Sequence, residues 1–259
     1  MKTKKMKIAL CLFGYPRGST TYAGGAYLEK FEHLFKHVMK YEPDVFIHSW
    51  EPELEQELVS LFKPKKYTFQ PQLNFEKEMQ TLDLQRFEEC KYQGGRHNIF
   101  KTLSFFYTRQ MANDLKTLFE KENNFTYDCV ISSRFDAGYH NHGKNQTSFI
   151  DFKPSMDMNK IYSAFWPQIN AGLSDHWFYG SSKDIDIVCD LYDYALEYLK
   201  HDSEYCKTMR TGWLDSSESN EFSNELLKTP DKRTTALKRY PDYYCLNNHC
   251  LYKWHFHAN

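Results

Sequence analysis

The chain has 259 residues, and its 33 basic and 34 acidic side chains leave a net charge of −1. That balance argues against a protein held mainly by nucleic-acid phosphates, which needs a surplus of Lys and Arg. Apolar residues are 41% and charged residues 26%, enough for a sizeable core and too apolar for a disordered chain.

The first apolar run, Ile8 to Phe13, is far shorter than the roughly 20 residues a membrane span requires. No small-residue cleavage site follows it, so neither a leader nor a transmembrane segment is expected. Seven cysteines, odd in number and without a CxxC, predict reduced thiols and a cytoplasmic protein. The sequons at Asn124 and Asn145 would then go unused.

Met6 to Phe13 reads as a buried strand ended by Gly14 and Pro16. From Gly25 to Lys40 the apolar residues Tyr27, Leu28, Phe31, Leu34, Phe35, Val38 and Met39 have helical spacing. Asp44 to Trp50 is a second strand. Pro52 opens a helix through Leu54, Leu58 and Leu61, and Lys66 to Gln70 alternates as a third strand. This strand–helix alternation predicts a parallel sheet with helices on its faces.

Pro71 to Arg96 is polar and irregular, a loop with some helix. Asn98 to Glu122 is a long amphipathic helix, Tyr127 to Ser133 a buried strand, and 137–159 a polar loop. Short strands are expected at Ile161 to Trp166 and at His176 to Tyr179. Helices are expected over Ile185 to Lys200 and Ser217 to Lys228. Tyr243 to Phe256 reads as a strand pair or extended tail turning at Asn247-Asn248. No repeat or linker divides the chain, so a single domain is expected.

Four features bear on chemistry. At the end of the first strand, Phe13 to Ser19 (FGYPRGS) places two glycines around a tight turn, with Arg17 available to a phosphate. The plainer alternative is an ordinary strand-to-helix turn. After the fourth strand, Ser132 to Asp136 (SSRFD) sets Arg134 and Asp136 where an acid suits a divalent cation or a sugar hydroxyl. A structural Arg–Asp pair is the alternative. Asp175 and His176 precede the run Trp177-Phe178-Tyr179, and a carboxylate beside aromatics suits a general base on a sugar hydroxyl. An exposed loop acid is the alternative there. Finally, Cys245, His249, Cys250, His255 and His257 crowd the C-terminus, but their spacing follows no zinc pattern, and core or surface histidines are the commoner reading.

KIALCLFGYPRGS, DVFIHSW, YDCVISSRFD and SDHWFYGS, in this order, resemble glycosyltransferases of large algal DNA viruses and of bacterial surface-polysaccharide loci. The resemblance covers roughly residues 6 to 185. It implies an α/β, GT-A-like fold, a mixed but mostly parallel central sheet flanked by helices. A nucleotide-sugar half of about 1–136 would precede an acceptor half of about 137–259. It implies transfer of a hexose or pentose from a nucleotide-diphosphate sugar to a glycan acceptor in the cytoplasm, the host's if the protein is viral.

By the same resemblance Phe13, Gly14, Tyr15, Arg17, Arg134 and Asp136 would bind the nucleotide sugar. Asp175 would be the catalytic base, and His176 and Trp177 would meet the acceptor. Such folds hold Mn2+ or Mg2+ on a DxD motif. Here the first acid is Arg134, which leaves Asp136 as the one implied metal ligand. A carbohydrate-binding protein without turnover and a zinc-stabilised α/β scaffold are the competing readings.

Overall fold

The computed structural model describes residues 5–16, 31–88, 98–137, 149–164, 172–211 and 242–259. The expected helix over Ser217 to Lys228, residues 25–30 of the Gly25–Lys40 helix and the Arg17 site residue lie outside them.

The chain packs as two compact units. The first comprises 1–72, 105–165 and 174–190, and the second 73–104, 166–173 and 191–259. They interleave along the sequence rather than dividing near residue 136.

The first unit is built on six strands: β1 (Ile8–Gly14), β2 (Asp44–Ser49), β3 (Lys66–Phe69), β4 (Cys129–Arg134), β5 (Tyr162–Ser163) and β6 (Trp177–Gly180), in the order β3-β2-β1-β4-β6-β5. β1 is parallel to both β2 and β4, and β2 is parallel to β3. β6 pairs antiparallel with β4 and with β5. The sheet is therefore mixed, which corrects the expectation of a mostly parallel one. β6 is reversed relative to β4 and β5, its neighbours on either side.

β1 is apolar throughout because it is central and covered on both faces. Side-chain alternation sends Ile8, Leu10 and Leu12 into a cluster with Val45, Ile47, Ile131, Phe31, Leu34 and Leu58. These last three come from the short turn and helix α1 (Glu32–His37) and from α2 (Glu55–Phe62). On the opposite face Phe13 meets Phe105 edge-on at 5.5 Å, and Phe46 meets Phe119 at 5.6 Å. Phe105 and Phe119 belong to the 25-residue helix expected from the periodicity, which follows two one-turn helices, α3 (Glu76–Met79) and α4 (Gln85–Glu88). This α5 (Ile99–Asn123) begins where the Asn98 side chain accepts the Lys101 N–H at 2.7 Å.

The helix read over Ile185 to Lys200 is two helices, α6 (Ser182–Cys189) and α7 (Leu191–Tyr198). The side chain of Ser181 accepts the Asp184 N–H at 3.2 Å, capping α6 and moving its start forward.

In the second unit the tail read as strands is helical: a 3-10 turn at Tyr243–Leu246, then a helix at Asn248–Ala258. Asn247 does not turn a hairpin. Its side chain accepts the N–H groups of His249 and Cys250, making it an N-cap. A further helix at Glu204–Thr211 was not foreseen. We number these last two α8 (Glu204–Thr211) and α9 (Asn248–Ala258). Gly172, at φ +127°, lies so close to α9 that a Cβ would stand 2.1 Å from the His249 carbonyl, which excludes any other residue there. No helix among the described residues is long and apolar enough to cross a membrane.

Candidate functional site

The chain leaves β1 toward β2 and β3, then returns through α5 to lay β4 on the other edge of β1. This reversal of strand order makes the carboxyl ends of β1 and β4 a topological switch point, the place where open α/β sheets bind ligands. Phe13 and Arg134 face each other across it in the β1–β4 register.

Gly14 ends β1 at φ +98°, a conformation L side chains rarely adopt. Its N–H donates to Thr108 Oγ1 at 3.1 Å, and its carbonyl accepts the Trp50 N–H. Thr108 Oγ1 in turn lies 2.6 Å from Nδ1 of the buried His48. Burial holds His48 down to about 4, so the ring is neutral near pH 7. Beyond the glycine, Tyr15 is exposed and donates to Gln72 Oε1 at 2.7 Å. Burial, with the Glu51 carboxylate second, raises its phenol.

Because β6 runs antiparallel to β4, it starts where β4 ends. Asp175, His176 and Trp177 thus arrive at the same sheet edge as Arg134 and Asp136, and the Arg134 N–H donates to the His176 carbonyl at 3.1 Å. The guanidinium of Arg134 forks onto Asp136, Nε to Oδ1 at 2.8 Å and Nη2 to Oδ2 at 2.6 Å. Burial opposes the Arg134 charge, but the Asp136 and Asp175 carboxylates outweigh it and raise its pKa. The Arg134 side chain remains 29% exposed, while Asp136 is buried beneath it.

Six described residues of the expected site therefore share one sheet edge, Phe13, Gly14, Arg134, Asp136, Asp175 and His176, with Tyr15 just beyond. Trp177 reaches the same edge but takes another role. It is 5% exposed, lies in the core cluster and stacks on Tyr179 at 5.4 Å. Its ring is no platform for an acceptor, which corrects that expectation.

The donor set does not fit a tightly held Mn2+ or Mg2+. Both oxygens of Asp136 are engaged by the Arg134 guanidinium, which would repel a cation. The one group of three metal-type donors among the described residues is elsewhere, at Cys206, Asp242 and Cys245. Two of the C-terminal histidines bond elsewhere, in line with the commoner reading of core or surface histidines. His255 Nδ1 meets the Tyr198 hydroxyl at 3.0 Å, and His249 Nδ1 meets the Leu173 carbonyl at 2.6 Å.

Sequence reasoning missed Arg109. It is fully buried on α5, its guanidinium 4.4 Å over the Phe13 ring and 5.0 Å from that of Phe178. Nη2 donates to the Asp175 carbonyl at 2.9 Å. Arg109 thereby ties the end of β1 to the segment that carries Asp175. Its only sequence signal is a cation at helical spacing from Phe105, Ala112 and Lys116, all on the buried face. Comparison with protein-family models, with curated proteins and with solved structures gives no match.

Proposed function

We propose that the protein is a glycosyltransferase that moves a hexose or pentose from a nucleotide-diphosphate sugar to a glycan acceptor in the cytoplasm. The observation that carries this reading is the juxtaposition, at the switch point of β1 and β4, of a part-exposed Arg134 and the carboxylate of Asp175.

Departure of a nucleoside diphosphate develops negative charge that a fixed cation must meet. Arg134 is suited to that work because its charge is held firmly and a guanidinium carries five N–H donors, of which Asp136 takes two. Asp136 acts as a positioning residue, orienting the guanidinium through two hydrogen bonds. In this reading the exposed Tyr15 lies against the nucleotide, while Phe13, buried under Arg109, and Gly14, bonded to Thr108 and Trp50, shape the strand end beneath it. Asp175 takes the proton of the acceptor hydroxyl, and the half-buried His176 beside it meets the acceptor. No step is assigned to a metal ion.

The test is a thermal-shift screen against nucleotide-diphosphate sugars with different bases and sugars, each with Mn2+ and with EDTA. A true donor stabilises the fold by mass action, by about 2.7 kcal/mol at a hundredfold excess over its dissociation constant. Hydrolysis or transfer of the sugar from the stabilising donor then separates an enzyme from a binding protein. No shift with any donor would remove the proposal.

A further inference from the structure

Apart from that site, the second unit holds a buried pair of thiols in unusual surroundings. Cys206 lies in the first turn of α8, and Cys245 in the 3-10 turn at Tyr243–Leu246. Their sulfurs and a carboxylate oxygen of Asp242 all lie within 4.8 Å of one another. The Cys206 N–H donates to Ser203 Oγ at 3.0 Å, so its sulfur sits at the partly positive end of a helix. Arg86 Nη2 reaches to 3.9 Å from that sulfur. The Cys245 sulfur lies 3.6 Å from Asp242 Oδ1.

A cation is poorly suited to this cluster. Asp242 already accepts from Arg86 Nη1 at 3.3 Å and from Arg210 Nε at 2.8 Å, so a divalent ion would join two guanidinium groups on one carboxylate. The same positive charge favours a thiolate at Cys206, opposed by the Tyr198 carbonyl that accepts from this thiol at 3.2 Å. We propose that Cys206 and Cys245 are a peroxide-responsive dithiol–disulfide pair, an oxidative modification site separate from the sheet edge of the first unit.

Cys206 is the attacking sulfur. The neighbouring Cys245 thiol draws its pKa down against the effect of burial, with Ser203 and Arg86 adding to the shift. Cys129 and Cys189 are instead pushed up to about 12 by burial, and Cys11 is raised as well. The thiolate attacks one oxygen of hydrogen peroxide and breaks the O–O bond. This gives a Cys206 sulfenic acid and a hydroxide that takes up a proton to become water. The Cys245 sulfur then attacks the sulfenyl sulfur, and its proton leaves with the hydroxyl as a second water. Both cysteines are oxidised by one electron each, and one peroxide is reduced to two waters.

The experiment is a titration of the native, reduced chain with hydrogen peroxide, followed by denaturing alkylation and peptide mapping. The expected result is loss of two of the seven thiols, a peptide cross-linked between Cys206 and Cys245, and recovery of both thiols on reduction. In Cys245→Ser the sulfenic acid should persist on Cys206 and react with a dimedone probe. If that variant does not fold, the wild-type map decides alone. Retention of all seven thiols, over-oxidation of Cys206 with Cys245 still free, or a zinc ion that protects both sulfurs would overturn the proposal.

Discussion

His48 gives the protein an acid-labile element whose size can be worked out from its surroundings. Its ring is wholly buried between Trp50 and Tyr107, with Nδ1 2.6 Å from Thr108 Oγ1. Burial lowers its pKa from 6.5 to about 4 in the folded chain. Between those values the unfolded chain binds the proton and the folded chain does not. The stabilisation is thus fully present above pH 6.5 and declines as the pH falls toward 4. At about 1.4 kcal/mol per pH unit the ceiling is about 3 kcal/mol. His33, which accepts the Ile150 N–H through Nε2 and is also lowered to about 4, acts in the same direction. Subtraction isolates His48: His48→Asn keeps an acceptor and a donor but does not titrate. Urea unfolding of both proteins at intervals from pH 7.5 to 4.5 should show wild type losing up to about 3 kcal/mol more than the variant. Parallel curves would refute a neutral, buried His48 and the Gly14–Thr108–His48 relay with it.

Gly14→Ala should cost about 1–2 kcal/mol by denaturant midpoint, although nothing among the described residues lies within 4 Å of the added Cβ, because the penalty comes from φ +98°. An unchanged midpoint would mean that the strand end relaxes freely. Asp175→Asn should reduce transfer by about 10²–10⁴-fold while donor affinity, read by calorimetry, stays near wild type; full transfer would exclude it as the base. Trp177→Ala should destabilise the fold by about 3–5 kcal/mol, as loss of a core aromatic does. A raised acceptor KM without a stability change would instead return Trp177 to the binding site.

The strands β1, β2 and β4 were legible because centrally placed strands are apolar on both faces, so short runs such as Ala9 to Leu12 and Val130 to Ile131 have few alternatives. α5 was legible from its length. α9 was misread because Asn247-Asn248 is a turn signal and an N-cap signal alike, and only the packing of Cys250, Leu251, Tyr252 and His255 tells them apart. The direction of β6 could not be read, since a continuous run of buried aromatics looks the same in either direction. Arg134, Asp136 and Asp175 stood out by their positions at strand ends. Arg109 did not, because a cation on a helix looks solvated until its neighbours are known. The pairing of Cys206 with Cys245 is equally invisible, because it joins residues far apart in the chain.

The central claim is that the edge formed by β1 and β4 binds a nucleoside diphosphate through Arg134. The most direct measurement is calorimetric titration of wild type, Arg134→Ala and Arg134→Lys with the donor's nucleoside diphosphate in EDTA, with unfolding curves to confirm that each variant is folded. Loss of charge-assisted contacts predicts that Arg134→Ala weakens binding by about 1.5–3 kcal/mol. Arg134→Lys should recover part of it, since a point charge replaces the fork. Equal affinity in all three proteins, or binding that vanishes from wild type once the metal is chelated, would contradict the account.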